Sequence, residues 1–474
     1  MNSSERPASS ETRDFVLVVI GGGPAGNAGA GTAALFGHRV ALVEQASEVG
    51  GAGVISGTVP SKTLRETALA LSGWRSRKLF GVDLSLRREA TVADFMRHQQ
   101  QVSTGESRRL ATRLGALAVE RFTGVASFVD ARTVRVVRTD TPDLQLRGEK
   151  ILIATGSTPF RPPEFPLDDD RVHDSDELLQ MKALPRRLAV IGAGVIGSEY
   201  ACTFAAMGVE VHLIDGRDAL LPFLDAEISS ALAEAMAAGG VKFLWKEQVK
   251  KCDVTQPGDV RLTLSGGSSV DCDAVLVCLG RSSNTATLNL AAVGLTPRKR
   301  GVIPVDAHYC TEVAHIYAAG DVIGAPALAA TSMEQARVAM SHAFAINAKL
   351  DFAPLLPTGI YTIPEVSMVG DTEETLKQKG VDFIAGRARY ADNPRGRIIG
   401  DDTGFLKLLF RRSDMRLLGV HVIGEQASEL AHLGLLALLT ESSADVFNRA
   451  CFNYPTLGEL YKYATYNALL QRER

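Results

Sequence analysis

Phe15-Val16-Leu17-Val18-Val19-Ile20, followed at once by Gly21-Gly22-Gly23-Pro24-Ala25-Gly26, decides the fold of this chain. The unbroken apolar run reads as a strand buried on both faces, and the glycines read as the sharp turn from that strand into a helix. An alanine-rich helical stretch and a second strand at 39–43 follow, closing at Glu44. In such a unit Gly21 allows the tight turn, Gly23 lets a pyrophosphate approach the backbone, and Gly26 permits close helix packing. Glu44 stands at the distance at which an acid accepts from a ribose hydroxyl. The strand before and the helix after make this a dinucleotide-binding βαβ unit rather than a glycine-rich turn.

The pattern recurs. A strand at 188–191 runs into Gly192-Ala193-Gly194-Val195-Ile196-Gly197, and a second strand at 210–214 ends at Asp215. Two nucleotide-binding units therefore share one chain. Apolar runs at 151–156, 274–281 and 315–321 each end at or near a glycine, an order that predicts strands of one sheet split around an inserted domain. The fold class expected is α/β.

Length and composition set the frame. A chain of 474 residues exceeds one hydrophobic core and implies several domains. Its 46% hydrophobic and 22% charged residues read as soluble and globular, and a net charge of -3 offers no electrostatic case for nucleic acid or an anionic membrane. The apolar stretch at 433–439, within a helix expected at 429–440, is far shorter than the roughly 20 residues of a membrane span. The first fourteen residues are polar and read as a disordered start without a signal peptide's apolar segment. A cytoplasmic location is the expectation. Six cysteines at 202, 252, 272, 278, 310 and 451 show no redox or zinc spacing. Cys272 and Cys278 fall in one apolar run, DCDAVLVCLG, which as a single strand would hold them too far apart for a disulfide.

With GTVPSKTLRE at 57–66, PALAATSMEQ at 326–335, GIYTIPEVSMVG at 359–370 and FNYPTLGELYK at 452–462, the chain resembles, over nearly its full length, the two-dinucleotide-binding flavoproteins. That flavin disulfide reductase family includes dihydrolipoamide dehydrogenase, glutathione reductase and the soluble NAD(P)+ transhydrogenases, and the transhydrogenase branch is the most similar. The resemblance implies an FAD-binding domain at 1–159 and 280–351, an NAD(P)-binding domain inserted at 160–279, and an α+β dimerisation domain at 352–474. It implies FAD as cofactor, NAD and NADP as substrates, and a homodimer or larger homo-oligomer with Tyr454 and Glu459 near the partner's flavin.

Site residues follow from the same resemblance. Lys62 and Glu199 would pair beside the reactive N5 of the flavin, where an ammonium stabilises negative charge on the reduced ring and the carboxylate orients it. Asp321, closing HIYAAGD, would face the ribityl chain and pyrophosphate. Further FAD contacts are implied from Pro24, Ala25, Gln45, Gly51, Thr58 and Ala126, then from Thr155, Gly156, Gly280, Leu328 and Ala329. For the second nucleotide the implied set is Gly192, Gly194, Ile196 and Gly197. Asp215 would accept from the ribose of NAD, and Arg217 could pair with the 2′-phosphate of NADP.

The departures are as informative. In a disulfide reductase two cysteines, five positions apart, carry electrons away from the flavin; in VGGAGVISGTVPSK at 49–62 their places hold Gly53 and Thr58. Where thiol-linked relatives have a histidine before proline, this chain has Tyr454, and a phenol is a poor base at neutral pH. Dithiol and base are both missing, which points to hydride exchange between NADPH and NAD+ through the flavin. Two other readings follow from the same residues: an NAD(P)H:quinone reductase using space opened at Gly53, and a flavoprotein that senses redox state without turnover. The thiol argument predicts that the NADPH-reduced protein reduces neither lipoamide nor oxidised glutathione above the buffer rate; sustained turnover of either, followed by nucleotide absorbance, would refute it.

Overall fold

Leu17, Val18 and Val19 have no solvent exposure, which a strand achieves only with neighbours on both edges and cover on both faces. Their strand, Glu11–Ile20, runs parallel between Val40–Glu44 and Leu144–Ile153. Glu120–Thr123 extends the sheet beyond Val40–Glu44, and Ile316–Ala318 joins Leu144–Ile153 on its far side, both parallel. The other half of that edge pairs antiparallel with Thr133–Val137, and Val125–Phe128 completes seven strands. The structure, a computed structural model, describes residues 11–72, 92–139, 141–255, 259–347, 351 and 355–473.

Backbone contacts gather the chain into two units, each built from three segments. The first is Met1–Pro60 with Gln99–Phe160 and Gly280–Phe352, and the second is Ser61–His98 with Arg161–Leu279 and Ala353–Arg474. In the first, helix Pro24–Leu35 packs on helix Ala329–Ala343. Pro24 opens its helix at no cost, because the N–H it lacks would have had no intrahelical partner. Gly29 keeps the helix close to the sheet, since a Cβ there would lie 2.3 Å from Leu152.

The second unit holds two sheets and a meander. Val241–Trp245, Glu210–Asp215, Arg187–Ile191, Ala274–Val277 and Val172–Asp174 form a parallel sheet in that order. Val249–Val254, Val260–Leu264 and Ser269–Cys272 form an antiparallel meander. An antiparallel five-stranded sheet, Thr358–Ile360 to Phe405–Arg411 and beyond, packs against helices Ala427–Leu439 and Leu460–Arg472. The architecture is α/β, with no helix among the described residues long and apolar enough to cross a membrane.

Three expectations are corrected. Glu11–Asp14 are not disordered; they pair with Leu144–Arg147, and the Asp14 carboxylate meets Arg147 at 2.6 Å. Their polarity signals an exposed strand end, which looks like a frayed tail in sequence. Residues 1–10 lie outside the described residues. The apolar run at 274–281 does not share a sheet with 151–156 and 315–321; it pairs with Arg187–Ile191, because an apolar run marks burial but not the sheet that buries it. Cys272 and Cys278 do not share a strand. The chain breaks at Asp273, whose carboxylate accepts the backbone N–H groups of Arg186 and Arg187, both at 2.9 Å.

A buried charge cluster joins elements of the second unit. The Lys407 ammonium, 2% exposed, lies 2.7 Å from Asp225, 2.9 Å from Glu227 and 2.7 Å from Glu373, and Arg387 pairs with both glutamates. Asp225 also caps helix Ala226–Ala238 by accepting from Glu227 N–H. Burial pushes the three carboxylates up, but hydrogen bonds from Lys407, and from Arg387 on Glu227, more than offset it and hold all three below their ordinary values. A carboxylate with a depressed folded pKa stabilises fully above its unfolded pKa and loses that contribution as pH falls through the folded value. Wild-type stability should therefore fall steeply below about pH 4. Lys407→Ala, leaving Asp225 buried without its cation, should cost about 3–5 kcal/mol in urea unfolding at pH 7 and flatten the acid-side loss.

Candidate active site

Both glycine turns are built alike, and each of their glycines answers to a different constraint. Gly21 and Gly192 have φ of +105° and +100°, and a Cβ would lie 2.3 Å from Ala154 O and 2.5 Å from Cys278 O. At Gly26 and Gly197 a Cβ would lie 1.8 and 2.0 Å from the carbonyl oxygens of Gly21 and Gly192, so the first helical turn sits directly on the turn before it. Gly23 and Gly194 differ from these. A Cβ at Gly23 would meet only Gly51 Cα at 3.9 Å, and one at Gly194 would meet nothing within 4 Å. Each is the N-cap of its helix, in extended conformation. Open space in front of a helix N-terminus is where the free N–H groups and the dipole hold an anion.

The acid that ends the next strand is tied to each turn by the same bond, across the same sequence separation. Gly22 N–H donates to Glu44 at 2.6 Å, and Ala193 N–H donates to Asp215 at 2.7 Å. The other Glu44 oxygen accepts from Ala46 N–H. In the first unit Glu44, Gly21, Thr155 and Asp321 follow the C-terminal ends of neighbouring parallel strands, the position where such sheets bind ligands. Asp321 accepts from Ser157 Oγ at 2.7 Å, and Arg281 Nε donates to that hydroxyl at 2.8 Å. Thr155 Oγ1 donates to Asn284 O, Gly156 and Gly280 have positive φ, and Asn27 Nδ2 donates to the carbonyls of Gly22 and Gly23. Gln45 is exposed, Ala126 is buried in Val125–Phe128, and Leu328 and Ala329 begin their helix.

In the second unit Lys62, on helix Thr58–Leu71, meets Glu199, on helix Val195–Ala206, with Nζ 2.6 Å from Oε2. The Glu199 side chain is 7% exposed and its other oxygen accepts Tyr361 N–H at 2.9 Å, while Lys62 is 26% exposed and lies 5.0 Å from the Tyr361 ring centroid. Arg65, three residues on from Lys62, donates to Thr362 O and so ties the same helix to the Tyr361 segment. Ile196 lies beside Gly197 in the first turn of the Glu199 helix.

The family model described as pyridine nucleotide-disulphide oxidoreductase matches residues 15–343, and that of the dimerisation domain matches residues 356–465. This chain belongs to the pyridine nucleotide-disulphide oxidoreductase family. It is 41% identical over 458 residues to the soluble pyridine nucleotide transhydrogenase of Mycobacterium bovis, covering 96% of this chain and 97% of that one. It is 40% identical over 462 residues to the enzyme of that name from Azotobacter vinelandii, with 96% and 98% covered. Among solved structures, LpdA from Mycobacterium tuberculosis superposes with a TM-score of 0.88 at 26% identity, covering 95% of this chain and 99% of that one. The flavoprotein disulfide reductase RclA from Escherichia coli gives 0.87 at 26%, covering 96% and 99%.

Members of the pyridine nucleotide-disulphide oxidoreductase family carry FAD and use NAD(P)H. The first unit fits FAD: an open cradle at Gly23, a Glu44 carboxylate oriented by two backbone N–H groups, and an Asp321 carboxylate fixed by Ser157. The positions where the resemblance expects the dithiol are Gly53, in a π-helical turn at Ala52–Ser56, and Thr58, which begins a helix. Ile55, two residues on from Gly53, is exposed, and Gly53 itself packs against Pro24. A Cβ would lie 2.6 Å from Pro24 Cγ, and Val54 is buried. Elsewhere the cysteines form no disulfide, and burial pushes the Cys202 and Cys272 thiols up to about 12.

Sequence reading missed Tyr361, Ser157 and Arg281. Tyr361 acts through its backbone N–H, which no residue type advertises, though it stands inside the GIYTIPEVSMVG stretch. The open cradle yields a test. Gly194→Val should leave the unfolding midpoint almost unchanged, while calorimetry should show NAD+ and NADP+ affinity falling by at least about tenfold, or about 1.4 kcal/mol.

Proposed function

We propose that this chain is a soluble, FAD-containing NAD(P)+ transhydrogenase. One observation carries the reading: the Lys62–Glu199 pair is kept, anchored by Tyr361 N–H, while neither Gly53 nor Thr58 can pass electrons to a thiol. FAD, when bound, accepts a hydride from one dihydronicotinamide and gives it to another oxidised nicotinamide. The chain's own part is to bind, orient and hold charge. NADPH and NAD+ take turns on the Gly192–Gly197 turn, with phosphates before the open N-terminus at Gly194. Lys62 supplies an ammonium where negative charge gathers during transfer, and Glu199 keeps that ammonium oriented.

The domain organisation in this reading has FAD on 1–159 and 280–351, NAD(P) on 160–279, and dimerisation through 352–474. Helix Ala427–Leu439 supports a homodimer, because Leu433, Leu436 and Leu439 on it are exposed apolar side chains in the single chain. Tyr454, 72% exposed, and Glu459 belong to the segment assigned to the partner's flavin site. A cytoplasmic location belongs to the same reading. Likeness to the soluble transhydrogenases favours hydride exchange over the quinone alternative.

Anaerobic stopped-flow tests the function directly. After reduction by one equivalent of NADPH, thio-NAD+ should reoxidise the protein faster than a soluble quinone does; the reverse order would make it a quinone reductase. Lys62→Ala should slow reduction by NADPH at least about tenfold while the yellow cofactor stays bound, and unchanged kinetics would remove Lys62 from the mechanism.

A further inference from the structure

We propose that Asp215 and Arg217 form a two-way latch that makes the second nucleotide site tolerant of both NAD and NADP. A ribose diol must take Asp215 from Arg217, a 2′-phosphate must take Arg217 from Asp215, and both nucleotides open the same ion pair. The proposal rests on the reading of Gly192–Gly197 as a nucleotide site and names how that site chooses.

Asp215 Oδ1 accepts from Arg217 backbone N–H and Nε, both at 2.8 Å. Oδ2 accepts from Ala193 N–H and Arg217 Nη2, both at 2.7 Å. A carboxylate offers about four acceptor positions, so all are taken. Two of the donors are backbone groups of the fold, one of them inside the glycine turn, and cannot leave. The other two belong to the Arg217 side chain, which is 47% exposed where Asp215 is 8% exposed. A ribose hydroxyl therefore finds an acceptor on Asp215 only where Arg217 has withdrawn.

The loop around the pair is pinned. Glu247 N–H donates to Asp215 O and Lys246 N–H to Arg217 O, tying both residues to the end of Val241–Trp245. The latch therefore moves by rotation of one side chain. Lys246 and Asp218 pair at 3.3 Å beside it, both largely exposed, so the formal charges of the four residues cancel. A lone acid here would repel a 2′-phosphate and a lone arginine would attract one; the closed pair does neither.

The experiment is calorimetric titration of the FAD-loaded protein with NAD+ and with NADP+, so that no turnover intervenes. Wild-type affinities should agree within about tenfold. Arg217→Ala frees two acceptor positions on Asp215 and removes the phosphate's partner, so NADP+ should weaken about 10- to 100-fold while NAD+ binds as well or better. Asp215→Asn, which releases Arg217, should shift the ratio the other way, with NADP+ gaining on NAD+. Opposite shifts are beyond a merely structural pair. Equal loss of both nucleotides in both variants, or no change in NADP+ binding in Arg217→Ala, would overturn the latch. If Gly194→Val abolishes binding of both nucleotides but the Arg217 variant is neutral, only the latch fails. Wild-type protein that binds neither nucleotide overturns the site reading along with it.

Discussion

Two carbonyl oxygens, those of Gly21 and Gly192, lie where side chains of Gly26 and Gly197 would have to be. Much of the functional geometry depends on those two close approaches. They seat each helix on the turn before it, which leaves the helix N-terminus facing open space at Gly23 and at Gly194. They also bring the second residue of each turn within hydrogen-bond range of the acid ending the next strand. In the second unit the same seating fixes the start of the helix that carries Glu199. A methyl group at either contact would have to displace backbone, and no flexible side chain is there to yield.

Three of the buried carboxylates in the second unit differ in the freedom of their cations. Asp225, Glu199 and Asp215 are each anchored by backbone N–H groups, from Glu227 and Glu373, from Tyr361, and from Ala193 and Arg217. Their partners are progressively more open to solvent, from Lys407 through Lys62 to Arg217. A cation sealed in with its carboxylates can only hold elements together, because separating them leaves charge without water. A half-open one keeps its charge oriented while a face stays reachable, as a group assisting transfer requires. The most exposed can be exchanged for a ligand at little electrostatic cost. Burial of the cation thus sets how readily each pair can open.

The glycine turns were legible in sequence because geometry restricts their residue types. Gly21, Gly26, Gly192 and Gly197 admit no side chain, and a requirement of that kind is written in the letters themselves. Strand partnership was less legible. The run at 274–281 and the run at 315–321 are both apolar, yet hydrogen bonding puts them in different sheets, and apolar character is blind to that difference. Glu11–Asp14 looked like a tail because exposed strand ends have polar side chains. The Lys62–Glu199 pair spans 137 residues and was found only through family likeness. Lys407 and Asp225, 182 apart and outside any motif quoted, gave no signal at all. Long-range ion pairs belong to the fold, and local pattern does not encode them.

Gly53 lies in a closely packed, glycine-rich segment. Gly50, Gly51 and Gly53 line one short segment, and two of them touch the first glycine turn: a Cβ on Gly51 would lie 2.8 Å from Gly23 Cα, and one on Gly53 would lie 2.6 Å from Pro24. The segment packs by its backbone on the residues that form the first cradle. A side chain at 53 would require Pro24 or the segment itself to shift. With Gly53 and Thr58 at the dithiol positions the resemblance implies, and Tyr454 in place of a base, the family's route to a disulfide is missing. What remains is a route that begins and ends at a pyridine nucleotide, and a site entered in turn by two such nucleotides functions best when it binds neither too selectively.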